Sequence, residues 1–199
     1  LKKIDKKLNF FCIRRKNIAP LLDNQNKVKD KRLSTKNIGI KMINFKDIKK
    51  NKIDTAFVTN HTSLHVKNAL KLAHLDLNLF IEKPLSHNFS KVMDLKNLIK
   101  KKKLQCEIGF QTRYDEHLIK IKEIIDKKKY GKILSSSISH CHYLPYHHKY
   151  EDYKISYASK KILGGGVILC FSHEVDYAQY LFRNPQRIIP KKILSDSNL

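Results

Sequence analysis

The sequence predicts an α/β fold: a doubly wound parallel sheet followed by the start of an α+β domain. Between residues 8 and 110, short apolar runs alternate with stretches whose apolar residues recur at three- and four-residue spacing. That alternation is the pattern of βαβ units. The runs are apolar throughout, as strands covered by helices on both faces are. Past about Gln111 a longer run with period-two character takes over, so the chain divides into residues 1–112 and 113–199.

Each element follows in order. LNFFCI (8–13), IGIKMIN (38–44) and IDTAFVTN (53–60) read as strands, and SLHVKNALKLAHL (63–75) as an amphipathic helix. NLFIE (78–82) is the next strand, SKVMDLKNLIKKKK (90–103) the next helix and LQCEIGF (104–110) the strand after it. In the second part EHLIKIKEIIDKKK (116–129) reads as a helix and KILSSSISHCHYL (132–144) as a long strand. An aromatic-rich polar loop, PYHHKYEDYKISY (145–157), leads to Gly164-Gly165-Gly166 and one helical run, VILCFSHEVDYAQYLF (167–182). QRIIPKKIL (186–194) is strand-like.

Composition narrows the class. Hydrophobic residues make up 41% of 199, and no apolar run approaches the ~20 residues that span a bilayer. The first residues hold no apolar segment of signal-peptide length, and Cys12, Cys106, Cys141 and Cys170 are scattered. A soluble cytoplasmic protein with reduced thiols, not associated with membrane, is expected. The net charge of +23 invites a nucleic-acid reading, but only six of the 41 basic residues are Arg, the residue suited to base and phosphate forks. The lysines are spread over helix ends and loops, so a solvated surface is expected rather than a nucleic-acid platform. Leu1 is no ordinary start, and LKKIDKKL reads as the tail of a helix, so the sequence is expected to be a piece of a longer protein.

In a parallel sheet, ligands bind beyond the carboxyl ends of the strands, and three groups fall there. TNHTSLH (59–65) follows an apolar strand and opens a helix whose amides suit an anion; a plain cap by Thr62 or Ser63 explains it equally. Glu82-Lys83-Pro84 ends the strand NLFIE, and Pro84 pushes Lys83 toward extended backbone. A partly desolvated Lys there could hydrogen-bond a substrate oxygen, or the strand could merely stop. His173-Glu174-Val175-Asp176 places His173 and Asp176 on one helical face, fit for an acid/base histidine or for a solvated one. His140, Cys141, His142, His147 and His148 form a dense cluster without ligand spacing. On a strand, His140 and His142 would face away from Cys141, so no metal is expected.

As an ordered set, TNHTSLH, EKPLSH, IGFQTRY, YGKI, GGG and HEVD resemble the Gfo/Idh/MocA oxidoreductases over about Phe10 to Pro185. The resemblance implies a partial Rossmann-type dinucleotide-binding domain (1–112), lacking its first strand and glycine loop. A partial α+β substrate and oligomerisation domain (113–199) follows. It implies hydride transfer between NAD(P) and a sugar or nucleotide-sugar hydroxyl or ketone, with Lys83 and His173 handling the proton and Asp176 supporting His173. Cofactor contacts would come from Arg14, Arg15, Thr59, Asn60, His65, Glu82, Lys83 and Pro84. Substrate contacts would come from Arg113, Tyr143, His148, Tyr153, Lys154 and His173. The loop before GGG further resembles a branch concerned with nucleotide-sugar or surface-glycan metabolism, and homo-oligomers are open to a chain whose second domain is complete.

Departures from the family pattern are informative. No glycine precedes Gly39, so no G-x-G-x-x-G is present. Leu169 and Cys170 stand where many members carry an Asp one turn before the histidine, and Asn60 replaces a Pro. Arg14-Arg15 ends the first strand where an acid would hold the ribose of NAD, which favours NADP. A non-catalytic remnant that keeps the fold without binding cofactor is the alternative reading.

Overall fold

The parallel sheet is realised in two pieces. In the computed structural model, residues 8–13, 18–22, 28–34, 40–146 and 150–190 are described, 18–22 and 28–34 by their backbone only. β1 (Phe11–Cys12) pairs in parallel with β4 (Lys41–Met42). Between them lies an antiparallel hairpin, β2 (Ile18–Leu22) with β3 (Val28–Ser34), in a stretch where the sequence predicts no strand. Pro20 argues against a strand there, because proline cannot donate to a ladder. The second piece is the three-stranded parallel sheet β5 (Thr55–Val58), β6 (Asn78–Ile81) and β7 (Cys106–Ile108), in register through Phe57, Phe80 and Glu107.

Side chains alternate across a strand, so Ala56, Val58, Leu79, Ile81, Cys106 and Ile108 share one face. Onto that face pack α1 (His65–His74) and α2 (Val92–Lys102), through Val66, Ala69, Leu72, Ala73, Leu95 and Ile99. Ala69, Ala73 and Ile81 are fully buried at the centre of this core. Among the described residues the opposite face departs from the two-sided cover expected. Phe57 is 51% exposed and leans on Phe80, with ring centroids 5.3 Å apart. An apolar sequence alone does not distinguish a strand covered twice from one covered once.

After β7 the chain passes through the 3-10 turn Gln111–Tyr114 into α3 (Glu116–Asp126). Asp115 starts that helix by accepting hydrogen bonds from the backbone N–H groups of His117 and Leu118. Residues 132–143, expected to be a long strand, form neither helix nor ladder and are exposed. The alternation is present, but among the described residues no neighbouring strand takes up its backbone hydrogen bonds. The helical run at 167–182 is broken at Phe171 (φ −105°, ψ 39°) into α4 (Val167–Cys170) and α5 (Ser172–Phe182). Residues 186–190 join no ladder, and the rest of the strand-like QRIIPKKIL lies outside the described residues. Among the described residues no helix is long and apolar enough to cross a membrane.

The triple glycine docks the second part on the first. Gly164 adopts φ +81°, and a Cβ on it would lie 2.7 Å from Cβ of Thr62. A Cβ on Gly165 would lie 2.2 Å from the carbonyl oxygen of Tyr157. Backbone packs on backbone there, which only glycine permits.

Candidate functional site

β5 and β6 run in the same direction, so the loops after Val58 and Ile81 emerge at one edge of the sheet. His65 ties them together. It is 1% exposed, and its two ring nitrogens lie 2.8 Å from the carbonyl oxygens of Pro84 and Asn60. The sequence places His65 among cofactor contacts. The structure instead buries its ring and gives it the task of fixing the two loops. Neither Thr62 nor Ser63 caps α1, which is entered through the 3-10 turn Thr62–Leu64 without a side-chain cap. Thr59 and Asn60 are exposed beside that turn.

Lys83 is half-buried at the end of β6. Its backbone N–H donates to Oε2 of Glu82 at 2.8 Å, and the Lys83–Pro84 bond is cis. Its ammonium donates to the carbonyl oxygen of Cys170 at 2.6 Å, in the last residue of α4. A helix end leaves such carbonyls without an intrahelical partner, and a cation there is favoured. A hydrogen bond of this charged kind contributes about 1.5–3 kcal/mol. The link joins the Rossmann-type half to α4, whose last residue stands three positions before His173.

His173 sits in the first turn of α5. Its Nδ1 lies 3.1 Å from Oγ1 of Thr112, and its ring meets Phe110 edge-on with centroids 5.8 Å apart. Burial, and then the positive charge of Lys83, push the imidazole below its ordinary pKa, against the opposing pull of Glu174, Glu82 and Asp176. A neutral imidazole is the form that can take a proton.

The expectation that Asp176 orients His173 needs correction. Asp176 is 7% exposed, and both its oxygens accept from Arg113, from Nε and from a terminal nitrogen, at 2.7 Å each. A guanidinium matches a carboxylate in this forked way, and the pairing turns the carboxylate toward Arg113. Arg113, expected among substrate contacts, is thereby engaged; its guanidinium also lies over the Tyr180 ring at 5.6 Å.

The remaining expected residues are scattered. Tyr143 is 67% exposed and contacts the ring of Tyr146, while the Lys154 ammonium lies over its neighbour Tyr153. Arg14, Arg15 and His148 lie outside the described residues. His140, from the His/Cys cluster, pairs with Glu174 at 2.9 Å and stacks on Phe171. Sequence reasoning overlooked Thr112 and Tyr157. Burial, then the neighbouring Cys170 and Glu82, push the Tyr157 hydroxyl up, so it remains a proton-bearing donor beside the site. Thr112 was findable only through its place just beyond the end of β7, where a parallel sheet gathers functional groups.

The donor set at this edge suits the nicotinamide end of a dinucleotide. Exposed Thr59 and Asn60, with half-buried Glu82 and Lys83, match ribose hydroxyls and a carboxamide. No glycine turn for a pyrophosphate is found in the sequence, so this fit concerns the nicotinamide end alone.

Comparisons with known proteins identify the family. Residues 11–110 match the oxidoreductase family with NAD-binding Rossmann fold, and residues 118–189 match the GFO/IDH/MocA C-terminal domain. The chain is 26% identical over 132 residues to scyllo-inositol 2-dehydrogenase (NAD(+)) of Bacillus subtilis, covering 65% of this chain and 35% of that protein. It is 34% identical over 91 residues to inositol 2-dehydrogenase/D-chiro-inositol 3-dehydrogenase of Lacticaseibacillus casei, covering 44% of this chain and 26% of that one. It therefore spans about a quarter to a third of the length of these curated relatives. Among solved structures, an NAD-binding protein from Listeria innocua superposes with a TM-score of 0.58 at 17% identity, over 73% of this chain and 41% of that chain, which speaks for the fold alone. The strand-end site, the EKP lysine and the two family matches lead to one conclusion: the chain belongs to the Gfo/Idh/MocA oxidoreductase family.

Proposed function

We propose that the protein oxidises a hydroxyl carbon of a sugar-like substrate, or reduces the matching ketone, with Lys83 and His173 managing the proton. The observation that carries this reading is the link from Lys83 Nζ to the Cys170 carbonyl, which holds the EKP lysine at the break between α4 and the helix of His173, where its charge acts on that ring. A nicotinamide dinucleotide, when bound, supplies the hydride acceptor or donor. Lys83 offers a cationic donor that favours negative charge developing on the substrate oxygen. His173, held neutral, accepts the hydroxyl proton in oxidation and returns it in reduction. The substrate class is a polyhydroxylated ring, in keeping with the inositol dehydrogenases among the relatives; a nucleotide sugar is the finer alternative within it. Tyr143, Tyr153, Lys154 and His148 are the candidate contacts to such a ligand. Arg14 and Arg15 favour NADP over NAD.

The test is equilibrium binding of NADPH and NADH by fluorescence, followed by turnover on a panel of inositols, sugars and nucleotide sugars. Lys83→Ala is expected to abolish turnover while leaving dinucleotide affinity within about threefold. Failure of the unaltered protein to bind either dinucleotide would sink the reading, and unchanged turnover in Lys83→Ala would remove Lys83 from the chemistry.

A further inference from the structure

We propose that the turn Gln111–Tyr114 positions His173: Thr112 accepts a hydrogen bond from Nδ1–H, leaving Nε2 as the basic nitrogen, while Arg113 withholds the Asp176 carboxylate from the ring. The inference rests on the reading of His173 as the acid/base group, and it assigns positioning work to Thr112 and to Arg113, the latter expected among the substrate contacts.

The geometry points this way on three counts. Thr112 Oγ1 is 3.1 Å from Nδ1, so that nitrogen already has a partner and Nε2 is the one left for a substrate. Phe110 packs against the ring edge-on, with centroids 5.8 Å apart. Asp176 lies one helical turn beyond His173, where a carboxylate could serve the ring, yet the fork from Arg113 occupies both of its oxygens at 2.7 Å. All three contacts come from four consecutive positions, 110–113, at the junction of the two parts.

The chemical consequence concerns the charge state of the ring. A hydroxyl partner can accept from Nδ1–H or donate to a bare Nδ1, and unlike a carboxylate it carries no charge that would hold a proton on the imidazole. The charged groups acting on His173 are Lys83 and Glu82 from the loop after β6, and Glu174 and Asp176 from its own helix. Lys83 disfavours the imidazolium; the three carboxylates favour it. Neutralising Asp176 with Arg113 weakens one of those three, so the base stays free at lower pH.

Nitrogen-15 NMR of the histidine side chains tests this without cofactor or turnover, so its outcome is independent of whether the proposed reaction is right. In the unaltered protein His173 is expected mainly as the Nδ1–H tautomer, the minor form of a free imidazole. Thr112→Val, which keeps the shape and removes the hydroxyl, should return the ring to mainly Nε2–H, and Thr112→Ser should restore the original form. Arg113→Gln should raise the His173 titration midpoint, with Arg113→Lys closer to the unaltered protein. An Nε2–H ring at the outset, or a tautomer indifferent to Thr112→Val, would overturn the role of Thr112. An unmoved midpoint in a folded Arg113→Gln protein would overturn the role of Arg113. Should Arg113→Gln fail to fold, the Thr112 pair still decides the proposal.

Discussion

The two halves of the chain are held together by different physics. From Ile48 to Leu95, ten buried apolar residues form a continuous core between a sheet and two helices. Beyond Gly109 the buried apolar residues among those described are Leu118, Ala158 and Leu181, and Ser156, Ser172 and Asp176 are buried with them. Polar links replace apolar area there: Arg113 with Asp176, Thr112 with His173, Ser156 with Glu151. Lys83 stands on the well-cored half and His173 on the other. The site therefore depends on contacts that cross between them, among them Lys83 to Cys170, Thr112 to His173, His61 to Tyr157 and the triple glycine.

Substitutions in each half should separate these contributions, and the largest effect belongs to the core. Ile81 is fully buried at the centre of β6, so Ile81→Ala is expected to cost about 3–4 kcal/mol in urea unfolding. A loss under 1 kcal/mol would mean the sheet is not the stabilising unit. Next comes Asp176, whose carboxylate would be stranded by Arg113→Leu. The guanidinium is 45% exposed, which moderates the loss to about 2–3 kcal/mol. Gly165→Ala should cost about 1–3 kcal/mol by forcing backbone apart near Tyr157. Its signature is faster proteolysis of the 150–166 region with the β5–β7 core still protected from hydrogen exchange. The smallest effect is expected at Phe57, already half in solvent: Phe57→Thr should change stability by less than about 1 kcal/mol.

The pH dependence of the proposed reaction follows from His173. Its pKa is held down in the folded protein, so the neutral base persists below pH 6.5, and the acid limb of the oxidation rate should fall below the ordinary histidine range. The same sign applies to stability: the folded state resists the proton, so this contribution is full above the ordinary value and is lost as pH falls through the lowered one. An acid limb centred at or above 6.5 would contradict it.

Much of this was legible in the residues. The βαβ rhythm placed β5, α1, β6, α2 and β7 to within a few residues, because each element carries its own periodicity and its own stop, such as Pro84 after β6. Residues 132–143 carry strand periodicity too, yet form no ladder, since pairing needs a partner that a local pattern cannot supply. The β2–β3 pair was not read from the residues; Pro20 is accommodated because both strands of a two-stranded ladder are edges and the register shifts between Ala19 and Leu21. In the proposed site, Lys83 and His173 were singled out by their places at element ends. Sequence spacing put Asp176 on the face of His173 but could not show that Arg113 would claim it. Thr112 had no pattern of its own, and only folding brings it to the imidazole.

The central claim is that Lys83 and His173 share one site across the two halves. The measurement that tests it most directly is an NMR titration of His173 in the unaltered protein and in Lys83→Met. Removal of the ammonium should raise the midpoint toward 6.5, because Lys83 is among the groups holding it down. A midpoint that does not move, in a protein whose spectrum shows it folded, would place the two residues too far apart to act on one proton.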